Sequence, residues 1–87
     1  MSDVAGQMQA MIDFITTDLL KGSEPGIGAD TQLFSSGLMD SMSVIDVLHK
    51  LEDVMALRIP IGRLKLRDVD TVRLMVQAAV RVGQPRR

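Results

Sequence analysis

Apolar positions along the chain fall into three helical stripes, separated by two stretches that break the pattern. In the first, Val4, Met8, Met11, Ile12, Ile15 and Leu19 recur at helical spacing, which places them on one side of a helix. This predicts an amphipathic helix from Asp3 to Leu20, with Ser2 or Asp3 as its cap and Gly22 in the left-handed position past its end. The second helix is predicted from Asp40–Ser41, both good caps, to about Ala56. Set at steps of 100°, Val44, Val47, Leu48, Leu51 and Met55 point toward a core. Met42, Asp46, His49, Lys50 and Asp53 point away from it, so Met42 is an apolar residue on a polar face. The third helix begins near Asp70–Thr71 and carries Val72, Met75, Val76, Ala79 and Val80 on its stripe. Gly83 and Pro85 end it, leaving 83–87 as a frayed basic tail.

The two breaks differ. Between the first two helices Gly22, Pro25, Gly26 and Gly28 stop regular structure, yet Ile27, Leu33, Phe34 and Leu38 are too apolar for a solvated linker. Loops this long are uncommon in compact domains and are usually functional. Leu33, Phe34 and Leu38 are expected to fold back and plug the core. Between the last two helices Pro60 and Gly62 interrupt a segment holding Ile61, Leu64 and Leu66, too short for an independent helix and read as a loop with a brief helical turn. The expected fold is all-α: three main helices plus a short turn, one domain over 1–87 with its core at about 4–82.

Composition narrows the function classes. A net charge of −1 over 87 residues gives no polyelectrolyte argument for nucleic acid or membrane. With 46% hydrophobic and 24% charged residues the chain reads as folded. There is no cysteine, which removes disulfides, thiolate metal sites and thiol nucleophiles. Phe14 and Phe34 are the only aromatics, too few for a base-stacking surface. With neither a basic leader ahead of an apolar run nor a stretch long enough to span a bilayer, the expectation is a soluble, cytoplasmic monomer without membrane insertion.

Catalysis within the chain finds no support. A serine nucleophile needs a base within about 3 Å. The single histidine, His49, lies eight residues past Ser41 on the same helix, about 12 Å away at 1.5 Å per residue. The carboxylates form no ligand cluster for a metal, and the glycines at 22–28 match neither a phosphate-binding loop nor a dinucleotide fingerprint.

The informative stretch is Leu33 to Glu52, LFSSGLMDSMSVIDVLHKLE. Its run Gly37-Leu38-Met39-Asp40-Ser41-Met42 resembles the attachment motif of the acyl and peptidyl carrier protein family, Gly-hydrophobic-x-Asp-Ser-hydrophobic. Leu33-Phe34 upstream, the second helical stripe, Pro60 and the closing helix extend the resemblance over about 4–82. The Gly-Leu-x-Asp-Ser-Met form is similar to free-standing carriers such as the D-alanyl carrier protein. The resemblance implies a non-catalytic carrier bearing 4′-phosphopantetheine as a phosphodiester on Ser41, with Gly37, Asp40 and Met42 as motif neighbours. It also implies a thioester-bound acyl or aminoacyl cargo. The implied partners are a phosphopantetheinyl transferase, a loading ligase or adenylating enzyme, and a downstream acyltransferase or synthase. The resemblance gives Asp40 a role in the transferase complex, through metal or basic partners. A helix N-terminus suits a phosphodiester, because its unpaired N–H groups and dipole favour negative charge, and Gly37 leaves room for close approach.

Charge sets this chain apart from carriers of fatty-acid synthesis. Residues 30–57 hold five acids against Lys50 alone, whereas residues 58–73 hold Arg58, Arg63, Lys65, Arg67 and Arg73 against Asp68 and Asp70. The basic run either neutralises the second helix or docks an acidic partner, and Met42 with Asp46, His49, Lys50, Asp53, Arg63 and Lys65 is the expected docking set. Met39 and Met42 flank the serine and are read as adaptable contacts. Two other classes compete: a helical adaptor in which Ser41 is only an N-cap, and a helix-turn-helix binder using Arg63, Lys65 and Arg67. Near-zero net charge and scarce aromatics weigh against the second.

Overall fold

The computed structural model describes residues 3–21 and 26–85. Helix α1 spans Val4–Phe14, α2 spans Val44–Met55 and α3 spans Val72–Val82, and the three pack against one another in an all-α bundle. Short 3-10 turns occupy Ser41–Ser43, Ile61–Arg63 and Leu66–Val69, the last two replacing the single brief turn expected between α2 and α3. The C-cap at Gly22 and the alternative cap at Ser2 lie outside the described residues. Asp3 caps α1, accepting from the Gly6 N–H at 3.0 Å.

The first helix does not end as its periodicity predicts. From Ile15 to Leu19 the turn widens to π-helical, and the Leu20 N–H reaches back five residues to the Ile15 carbonyl at 2.8 Å. A π turn inserts one residue into the helical phase. Leu20 is therefore the buried residue, while Leu19, expected on the core stripe, is only half-buried. Val4, at the other end of that stripe, is exposed.

The core gathers Met11, Ile15, Val47, Leu48, Leu51, Met75, Val76 and Ala79 from the helices, with Leu20, Leu33, Met39, Ile59, Val69 and Val72 from their ends and connections. On α3 the buried arc runs through Ala78 on the side opposite Val80, so Val80 is 64% exposed, contrary to its expected place on the stripe. Past α2, Ala56 adopts the left-handed conformation (φ 56°), and Glu52 Oε2 accepts the Ile59 N–H at 2.8 Å, steering the buried Ile59 back onto the core. The tail is not frayed from residue 83. Leu57–Arg58 (β1) and Gln84–Pro85 (β2) pair antiparallel. Gly83 lies so close to Leu57 that a Cβ there would collide with the Leu57 side chain and the Ala79 carbonyl. Arg86 and Arg87 lie outside the described residues.

Candidate functional site

The long loop is bound to the start of α3 at two points. Arg73 grips Asp30 with both nitrogens, Nε to Oδ1 at 2.7 Å and Nη2 to Oδ2 at 3.1 Å, and its backbone N–H donates to the Ala29 carbonyl. The side-chain hydrogen bond between Arg73 and Asp30 holds the Asp30 carboxyl below its ordinary range and raises Arg73. Asp70 takes the second point: Oδ1 accepts the N–H groups of Phe34 and Ser35 at 2.8 and 2.9 Å, and Oδ2 accepts the Ser35 hydroxyl at 2.6 Å. Burial pushes the Asp70 carboxyl up, but the hydrogen bonds from Ser35, Phe34 and Leu33 outweigh it, and the net shift is downward.

From there the chain turns toward the serine. Leu33 and Met39 are buried and joined by the Met39 N–H donating to the Leu33 carbonyl at 2.9 Å. Leu33 plugs the core as expected, whereas Phe34 and Leu38 are only half-buried against it. Met39, read as an adaptable contact, is instead a core side chain. Gly37 sits between them at φ +85° with nothing near its Cβ position. Its first contribution is thus the left-handed turn, which a side chain would strain.

Asp40, in extended conformation, caps the Ser41–Ser43 turn that leads into α2: its carboxylate accepts the Met42 N–H at 2.9 Å, and its carbonyl accepts the Ser43 N–H at 3.1 Å. The Val44 N–H donates to the Ser41 carbonyl. The amides of Met42, Ser43 and Val44 are therefore already satisfied within the chain, and Asp40 has a structural reason to carry a side-chain acceptor. Ser41 is not the cap. It is exposed, and among the described residues its hydroxyl has no hydrogen-bond partner. Met42 beside it is 81% exposed. An unengaged hydroxyl at the surface, on a turn fixed from within, fits covalent attachment of a long group.

The expected docking residues fall on two flanks. Asp46, His49, Lys50 and Asp53 share an open groove with Phe14, Asp18 and Leu19 of the first helical segment. Lys50 is partly engaged there, its Nζ 5.6 Å from the centre of the Phe14 ring. On the other flank Lys65, with Leu64, Leu66 and Val69, closes a crevice of about 130 Å³ against Val44 and Leu48. Arg63 is exposed on its own turn and lines neither. Ile45, 45% exposed beside Met42, was missed by the helical wheel, where it falls at the edge of the apolar arc. Asp70 was missed too, being read only as a helix start.

Among the described residues no helix is long and apolar enough to cross a membrane. No curated protein and no solved structure gives a match. A family model described as the phosphopantetheine attachment site matches residues 15–79, which reach from the π-helical segment through the serine turn to the last buried turn of α3. Proteins of this family carry covalent 4′-phosphopantetheine, are generally not catalysts, and interact with a phosphopantetheinyl transferase and with biosynthetic enzymes. With well over half its length matched and a helical bundle of the expected form, the chain belongs to the phosphopantetheine-binding acyl and peptidyl carrier family.

Proposed function

We propose that the whole chain acts as one carrier domain in the cytoplasm. Its arm is attached at Ser41, and an acyl or aminoacyl thioester is passed between biosynthetic enzymes. The observation that carries this is the exposed, unpartnered Ser41 hydroxyl, freed because Asp40 performs the capping. In attachment the Ser41 oxygen bonds to the phosphorus of coenzyme A that bears the pantetheine, the adenosine bisphosphate leaves, and the hydroxyl proton passes to a base of the transferase. The arm supplies the thiol on which cargo is held. Met42 serves as an apolar anchor for partners, with Asp46, His49, Lys50 and Asp53 on one flank, Lys65 on the other and Arg63 exposed on its own turn, in keeping with small transient interfaces. Arg73 is paired with Asp30, which leaves the exposed Arg58, Arg63, Lys65 and Arg67 to meet an acidic partner. Cargo choice lies with the loading ligase or adenylating enzyme.

The test is incubation with coenzyme A and a broad-specificity phosphopantetheinyl transferase. Intact mass should show one phosphopantetheine gained by wild type and none by Ser41→Ala, with the helical circular dichroism of both intact. A wild type left unmodified by several transferases would favour a helical adaptor instead.

A further inference from the structure

We propose that Asp70 is a positioning residue for arm attachment, holding in register the loop that presents Ser41; this rests on the reading of Ser41 as the attachment site. Although 29 positions separate Asp70 from Ser41 in sequence, a continuous set of hydrogen bonds joins them. The Asp70 carboxylate holds Phe34 and Ser35, and its carbonyl accepts the Leu33 N–H at 2.8 Å. The Leu33 carbonyl then takes the Met39 N–H, and the Phe34 carbonyl takes the Gly37 N–H at 3.1 Å. Met39 leads directly into Asp40, which caps the serine turn through Met42.

Burial of Leu33 and Met39 fixes where the loop touches the core, but the backbone between them has no helix of its own to satisfy its amides. The Asp70 carboxylate satisfies the first two of them, at Phe34 and Ser35, acting on the Phe34–Gly37 turn as a cap acts on a helix. A transferase must meet Ser41 in one conformation. If the loop holds that conformation for only a fraction of the time, apparent affinity falls by that fraction, while the chemistry of the bound state is unchanged.

The experiment compares full-length wild type, Ser41→Ala, Asp70→Ala and Asp70→Asn below their melting temperatures, by backbone amide hydrogen exchange and by steady-state transfer from coenzyme A. Asp70→Ala should speed exchange at Phe34, Ser35 and Met39 by a larger factor than at Val47 to Leu51, whose exchange reports only the change in global stability. It should raise the transferase KM on the order of tenfold while kcat stays within about twofold. Asp70→Asn keeps the Oδ1 acceptor and offers an amide to the Ser35 hydroxyl, so it should restore KM. Unaltered exchange at Met39, or an unaltered KM in folded Asp70→Ala, would overturn the proposal. So would an Asp70→Asn KM as high as that of Asp70→Ala, which would mean that the charge itself meets the transferase. Transfer to Ser41→Ala, or none to wild type, would overturn the attachment reading and the positioning role with it, and the mass of Ser41→Ala and wild type tells this apart from failure at Asp70.

Discussion

Helices α2 and α3 are preceded by the same chemistry, an aspartate followed by a hydroxyl residue, and use it in opposite ways. Before α2 the aspartate caps: Asp40 is extended (φ −88°, ψ 167°) and accepts from Met42, leaving the Ser41 hydroxyl exposed and unengaged. Before α3 the hydroxyl residue caps: Thr71 is extended (φ −128°, ψ 159°) and accepts the Leu74 N–H at 3.1 Å. Asp70 is thereby released toward the loop. Whichever residue is extended just before the first helical turn becomes the cap, and its neighbour is free for another role. One residue of register separates an exposed serine from a loop clamp.

The strongest way to break this comparison is at Leu33 and Met39, which tie the two helix starts together. Both are buried, so Leu33→Ala or Met39→Ala should each cost about 2–5 kcal/mol by chemical denaturation, as much as Leu51→Ala in the middle of α2. Were the loop a solvated linker, the cost would stay within about 0.5 kcal/mol.

The caps themselves come next. Asp40→Ala and Thr71→Ala should each cost about 1 kcal/mol, while Asp40→Asn should retain most of the stability because its side-chain oxygen still accepts. Ser41→Ala, removing a hydroxyl that caps nothing, should leave the denaturation midpoint near wild type. A large cost there would mean that Ser41 is the cap after all, and that the two helix starts are alike.

A smaller difference should appear in acid. The Asp70 carboxyl is held below its unfolded value of 3.8, so its contribution to stability is present above that pH and is lost as pH falls through the folded value. Stability should therefore drop in this window for wild type. Asp70→Asn should show a shallower drop, measured as denaturation midpoint against pH. The exposed Asp30–Arg73 pair acts in the same direction but should fade with added salt, whereas the Asp70 contribution should persist.

Periodicity alone was enough to locate the three helices and to name Val47, Leu48, Leu51, Met75 and Val76 as core, because each helix buries one face. It misplaced Leu19 and Val80 for local geometric reasons: a π turn shifts phase by one residue, and the buried arc of α3 is offset from the centre of its apolar stripe. The Asp-Ser dipeptide was visible, but not which member caps, since both types cap well and the choice depends on a single backbone conformation. Contacts such as Asp70 to Ser35 or Arg73 to Asp30 span 35 and 43 positions. Local patterns carry no information at that separation.

The finest test separates the two methionines on either side of Asp40-Ser41. Met39 is 5% exposed and Met42 81% exposed, although both are apolar neighbours of one motif. An exposed methionine buries little apolar surface that truncation could forfeit, so Met42→Ala should change stability by no more than about 0.5 kcal/mol. Its effect should appear instead in kinetics. An apolar side chain beside Ser41, with Asp46, His49 and Asp53 exposed on the same helix, has the form of an anchor in a transient interface. Met42→Ala should therefore slow arm transfer and loading at limiting carrier concentration, in a protein that melts normally. Asp46→Lys should slow association mainly at low salt, because exposed charges are screened beyond about 10 Å at 0.1 M. Loading rate against carrier concentration, read beside the melting temperature of each variant, decides the matter. A Met42→Ala protein that melts early and loads normally would place Met42 with Met39 in the core, and erase the distinction between an inward and an outward side of the serine turn.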